Sequence, residues 1–205
     1  MIKYSDIGNR KEAFIFELDD VLYPEKDYLY QVYYLFASFL EHTELVDLQE
    51  ATSFMIDTYS SEGKEVVFDR LKEKFKLDEK YTYNFNHLNL KAKLPVKLFL
   101  YQDMLNLMQE IVIDRKQLFI LTNGDPEQQL NKIKQTEWHG LEPYMTCYFA
   151  NETAPKPETD SIDLLIKNHK LQRRNVLMIG NSDIDRECAD ASGVDLIKPI
   201  EFSEV

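Results

Sequence analysis

Residues 13–24 read A-F-I-F-E-L-D-D-V-L-Y-P, from Ala13 to Pro24. The stretch Ala13–Leu18 is short, apolar apart from Glu17, and followed at once by Asp19 and Asp20. An apolar run of this length that ends in polar residues reads as a buried strand. Glu17 and Asp19 are two residues apart. On extended backbone that spacing puts both side chains on the same side, so the strand ends in a pair of carboxylates facing one way.

Outward from this strand, the second half of the chain alternates regularly. Gln117–Leu121 reads as a strand and Pro126–Gln135 as a helix with proline at its first turn. Thr146–Ala150 reads as a strand and Thr159–Asn168 as a helix. Asn175–Ile179 and Ile184–Ala191 form the next such pair, and Val194–Ile197 is a last short strand. Strands alternating with helices imply βαβ units around a parallel sheet. The expected fold class is therefore α/β, with a three-layer Rossmann-like core. A helix-rich stretch interrupts the pattern after the first strand. Leu29, Val32, Tyr33, Phe36, Phe39 and Leu40 share one face of a helix over Lys26–Glu41. Leu48, Ala51, Met55 and Tyr59 suggest a second helix, and Val67, Leu71 and Phe75 a third. Leu98, Tyr101, Leu105, Met108 and Val112 suggest another, while Tyr81–Lys93 shows no clear period. The expected organisation is a core of residues 1–24 and 96–205, with a helical insertion at 25–95.

Composition narrows the partners. The 205 residues carry 36 acids against 24 bases, a net charge of −12. A field of that sign disfavours nucleic acid and anionic membranes. Mean hydropathy is −0.42, and no apolar run approaches the ~20 residues that span a bilayer. Met1–Arg10 is polar and is not followed by a signal core. The two cysteines, Cys147 and Cys188, lie far apart with no C-x-x-C pair and read as buried, reduced thiols. These features lead to the expectation of a cytoplasmic protein. His42, His87, His139 and His169 show no metal-ligand spacing.

Ligands of open parallel sheets bind beyond the carboxyl ends of the strands. Glu17, Asp19 and Asp20 follow the first strand there, and Thr122, Asn123 and Gly124 the second. Lys156 and Pro157 follow the third, and Gly180, Asn181, Ser182, Asp183 and Asp185 the fourth. Clustered carboxylates repel unless a cation sits among them. Oxygen ligands of this kind suit Mg²⁺, which is often shared with a phosphate.

Four segments in this order, F-E-L-D-D-V-L-Y-P (Phe16–Pro24), L-T-N-G (Leu121–Gly124), Lys156-Pro157 and I-G-N-S-D-I-D (Ile179–Asp185), resemble the haloacid dehalogenase (HAD) superfamily. The likeness covers nearly the whole chain and is to the Mg²⁺-dependent phosphatase branch with a helical cap inserted after the first motif. It implies a mechanism in which a carboxylate after the first strand attacks phosphorus. A second acid, two residues on, protonates the leaving oxygen and then activates water. Carried over, the resemblance makes Asp19 the acid/base. Thr122, Asn123 and Lys156 become the phosphate-holding groups, and Glu17, Asp19, Asn181 and Asp185 the Mg²⁺ ligands. The cap would select the substrate.

Two positions depart from the family pattern. Glu17 stands at the nucleophile position in place of Asp, and Asn181 replaces the first acid of the fourth motif. The extra methylene moves the attacking oxygen by more than about 1 Å, and a misplacement of ~1 Å can cost ~10²-fold in rate. The amide removes one negative charge from the metal site, and Asp183 is a candidate to compensate. The leading expectation is a HAD phosphatase-like protein that binds a small phosphorylated metabolite, a phosphomonoester, with hydrolysis weak or lost. Two alternatives stay open: a competent Mg²⁺-dependent phosphohydrolase for a nucleotide, sugar or flavin phosphate, and a non-catalytic binding or regulatory pseudo-phosphatase.

Overall fold

The structure, a computed structural model, describes residues 2–202. A one-turn helix α1 (Tyr4–Ile7) precedes β1 (Ala13–Phe16), whose four residues are all buried. Helices α2 (Glu25–Glu44), α3 (Leu48–Glu62), α4 (Val67–Phe75) and α5 (Tyr81–Lys91) follow. Next come β2 (Leu98–Phe99), α6 (Gln102–Ile113), β3 (Gln117–Thr122), α7 (Pro126–Lys134) and β4 (Thr136–Glu137). The chain ends with β5 (Met145–Phe149), α8 (Asp160–His169), β6 (Val176–Ile179), α9 (Asp183–Ser192) and β7 (Asp195–Ile197).

Five strands form a parallel sheet in the order β5-β3-β1-β6-β7. This is the α/β, Rossmann-like architecture that the alternation implies. Strands covered on both faces read as continuous apolar runs, as β1 and β6 do. One face packs Ala13, Ile15, Phe119, Leu121, Val176 and Met178 with Ile162 and Leu165 of α8 and Cys188 and Ala189 of α9. Pleat alternation sends Phe14, Phe16, Leu118 and Ile120 to the other face. There α6, which buries Met104, Met108 and Ile111, packs against β3.

The central strand decides where a ligand can bind. From β1 the chain builds outward through β3 to β5, then returns to lay β6 and β7 on the other side. Phe16 is in register with Ile120 on one flank and Ile179 on the other. The carboxyl ends of β1 and β6 are thus level, and β3 runs on beside them to Thr122, at the kind of switch point where such sheets bind ligands.

The chain divides into two compact units. The sheet unit takes the residues up to Pro24, Leu98–Leu130 and the chain from Thr136 onward. The helical unit takes Glu25–Lys97 and Asn131–Gln135. The second segment lies inside the run read as one helix of the core. Its place in the helical unit has a clear cause. Asn131 Nδ2 and Gln135 Nε2 donate to the Ala92 carbonyl at 3.0 and 2.8 Å, and Gln135 Oε1 accepts from Leu94 N at 2.6 Å.

Two further readings, of Leu98 and Cys147, need correction, and the stretch Tyr81–Lys93, which no period assigns, gains an element. Leu98 belongs to β2, not to the following helix; β2 pairs in parallel with β4, Leu98 opposite Thr136. Tyr81–Lys91, which has no legible period, is a helix. Its asparagines and aromatics are mediocre helix formers, but Phe85 packs 5.0 Å from both Phe36 and Phe68, and Tyr81 5.7 Å from Phe39. Tertiary packing overrides propensity there. Cys147 is half-buried, while Cys188 is fully buried; both are free. Among the described residues, no helix is long and apolar enough to cross a membrane.

Candidate functional site

Glu17 is the first residue beyond β1, and its backbone N–H still bonds Ile179 O at 3.0 Å, so strand pairing fixes its position. The residue is 8% exposed and both its carboxylate oxygens are engaged. Thr122 Oγ1, at the end of β3, donates to Glu17 Oε1 at 2.6 Å, and Lys156 Nζ donates to Glu17 Oε2. The same ammonium donates to Asp185 Oδ1 at 2.5 Å and approaches Leu121 O at 3.4 Å. Lys156 is 4% exposed and Asp185 2%. The ends of four strands, β1, β3, β5 and β6, and the segments after them therefore deliver one buried network of Glu17, Thr122, Lys156 and Asp185.

The loops that carry these groups are tied to each other. Asn123 Nδ2 donates to Lys156 O at 3.0 Å, and Lys156 N donates back to Asn123 Oδ1 at 2.9 Å. This two-bond ring fastens the loop after β3 to the lysine loop. Asn151 Oδ1 accepts from Gly124 N at 3.0 Å. Gly124 has φ +110°, in the region that glycine favours.

Asp185 has two duties. Its Oδ1 pairs with Lys156. Its Oδ2 accepts from Asn181 N at 3.2 Å, Ser182 N at 3.1 Å and Ser182 Oγ at 2.7 Å, while Ser182 Oγ accepts from Asp185 N at 3.1 Å. This reciprocal pattern is a capping box at the start of α9. The approach is close enough that a Cβ on Gly180 would lie 2.6 Å from Asp185 Cβ. Burial alone would raise the Asp185 carboxyl. Lys156 and the Ser182 donors outweigh it and hold the group below its ordinary value.

Asp19 joins the site through a residue that motif reading missed. Gln129 of α7, 3% exposed, donates from Nε2 to Asp19 Oδ2 at 3.1 Å and to Asn123 O at 2.7 Å. No spacing rule points to Gln129, because a glutamine on a helix carries no chemical signal of its own. Ser182 was legible in principle, since S-x-x-D before an α-helix is a capping pattern. Asn181 joins the network through its backbone N–H. Its side chain is exposed and directs Nδ2 toward Asp20 O at 3.5 Å, the limit of hydrogen-bond reach. Asp183 is exposed in the first turn of α9.

Magnesium asks for near-octahedral oxygens at about 2.0–2.1 Å and gives up its waters reluctantly. The four expected ligands do not offer that arrangement. Both oxygens of Glu17 and both of Asp185 already accept hydrogen bonds, and Asn181 contributes no charge. Among the described residues, no group of three or more His, Cys, Asp or Glu is placed to hold a metal. The donor set in this arrangement does not fit a divalent ion.

The strand ends bring a carboxylate pair, a hydroxyl, a lysine and a helix-capping acid together as one candidate site at the switch point of an α/β sheet. The sequence pattern of the haloacid dehalogenase-like hydrolases matches residues 14–198, and the chain belongs to that family. No curated protein matches the chain. Solved structures share the fold at low identity. A hydrolase from Streptococcus pneumoniae TIGR4 is 18% identical over 92% of each chain, with a TM-score of 0.56. YfnB from Bacillus subtilis, crystallised bound to magnesium, is 16% identical over 91% of this chain and 86% of its own, with a TM-score of 0.61. A haloacid dehalogenase-like hydrolase from Xanthomonas campestris is 17% identical over 92% of this chain and 82% of its own, with a TM-score of 0.57.

Proposed function

We propose that the chain binds a small phosphomonoester at the carboxyl ends of β1, β3 and β6, with hydrolysis weak or lost. The observation that carries this reading is the grip on Glu17. Thr122 Oγ1 and Lys156 Nζ are the groups suited to hold phosphoryl oxygens, and both are bound to the Glu17 carboxylate. A phosphate must compete with that carboxylate for the same donors. A carboxylate oxygen that is hydrogen-bonded and ion-paired is also a poorer nucleophile than a free one.

The residual reaction runs through this chain's own groups. A Glu17 oxygen bonds to phosphorus as the bond from phosphorus to the leaving oxygen breaks, and Asp19 gives its proton to that oxygen. Asp19 then takes a proton from the water that cleaves the acyl phosphate and frees the Glu17 carboxylate. Gln129 keeps the Asp19 carboxylate turned toward the loop after β3. The helical unit is proposed as the substrate-selecting cap of the family pattern. The free thiols Cys147 and Cys188 support a cytoplasmic setting.

The test compares wild type with a Glu17→Asp, Asn181→Asp double variant on a panel of phosphomonoesters with Mg²⁺ present. The shorter acid releases Lys156, and the second change restores a metal acid. The expected result is a near-silent wild type and a gain of ~10²-fold or more in the variant. Wild-type turnover at the ordinary ~1–10³ s⁻¹ overturns the proposal.

A further inference from the structure

We infer that Lys156 is the resident cation of this site: its ammonium occupies the place between Glu17 and Asp185 that a divalent ion would need, and the chain holds its acids together without metal. An ammonium has three protons to donate. Those of Lys156 face Glu17 Oε2, Asp185 Oδ1 at 2.5 Å and Leu121 O at 3.4 Å. The side chains of Lys156, Glu17 and Asp185 are 1%, 11% and 3% exposed, so water does little to screen the three charges.

The lysine is also held in place from behind. Its backbone N–H and C=O both bond the Asn123 side chain, and Pro155 and Pro157 flank it. An arriving Mg²⁺ would have to share two carboxylates with a fixed ammonium a few ångströms away. Like charges at that separation in a poorly screened site repel strongly. Asn181 fits the same account. Glu17 and Asp185 already exceed the single charge of Lys156 by one, and an acid at position 181 would widen that excess, whereas an amide adds none.

The inference rests on the ion triad and not on the phosphate reading, and its test uses metal alone. The full chain, freed of metal with EDTA and dialysed, is titrated with MgCl₂ by calorimetry and unfolded thermally with and without 10 mM MgCl₂. The expected wild type shows no saturable binding below millimolar Mg²⁺ and no shift in Tm. Lys156→Met leaves two adjacent acids without their cation. Its Tm is expected to fall in EDTA and to rise with Mg²⁺. Saturable wild-type binding at micromolar Mg²⁺ overturns the inference, as does a folded Lys156→Met whose Tm ignores Mg²⁺. Should that variant fail to fold in either buffer, the wild-type titration decides alone. Loss of phosphomonoester binding with a null Mg²⁺ titration would instead sink the proposed function and leave this inference standing.

Discussion

Asp185 shows how one residue can serve a helix and a site together. Its Oδ2 closes the capping box of α9, and its Oδ1 faces Lys156. Because Lys156 and Ser182 hold its folded pKa below the ordinary 3.8, the ionised Asp185 carboxylate contributes stability that is fully present above that value. The contribution is lost as pH falls through the depressed folded value. Denaturant unfolding between pH 6 and pH 2 should therefore show wild type losing stability below about pH 4. Asp185→Asn should start less stable and show a flatter acid limb. Equal slopes for the two proteins would contradict the pairing. At this scale the sequence was partly legible. Glu17, Thr122, Lys156 and Asp185 lie at or beyond strand ends, and the parallel pairing sets those ends side by side. What was not legible is the use of each oxygen. That the phosphate donors are bound to Glu17, and that Gln129 holds Asp19, depends on side-chain geometry that no spacing encodes.

Among the elements, the strands of the sheet were readable because burial on both faces leaves an unbroken apolar signature. Their ends shift by a residue or two, as for β1, which stops at Phe16 where Glu17 turns to its partners. The short β2 and β4 were not readable, since two residues cannot show a period. Helix α5 was hidden for a different reason. It buries Tyr81 and Phe85, and its stability comes from the ring cluster it joins. Phe36 sits at the middle of that cluster, fully buried, with Phe85 at 5.0 Å and Phe39 and Phe68 both at 6.0 Å. Phe36→Ala should destabilise the protein by about 3–5 kcal/mol, read by urea denaturation. A cost under about 1 kcal/mol would mean that the cluster is not a packed core.

Across the whole molecule, the net charge of −12 and the local chemistry pull in opposite directions. The general field repels a phosphomonoester, while Thr122 and Lys156 offer it a local hold. Salt screens the field over about 10 Å at 0.1 M and reaches buried pairs much less. Raising NaCl from 10 to 150 mM should therefore speed association of a phosphate ligand, the reverse of the behaviour of a basic binding protein. Stopped-flow measurement of the on-rate checks this, and a steep fall with salt would contradict it. The topology explains why the site lies at β1: this strand is the one flanked by both halves of the sheet, so a residue just past it meets groups from β3 and β6 together.

The account centres on one ammonium between two carboxylates, and a crystal structure grown with 10 mM MgCl₂ at a resolution that distinguishes Mg²⁺ from water tests it most directly. The account predicts Lys156 Nζ within hydrogen-bonding distance of both Glu17 and Asp185, with no octahedral ion between them. A magnesium bound by Glu17 and Asp185, with Lys156 turned away, would contradict it.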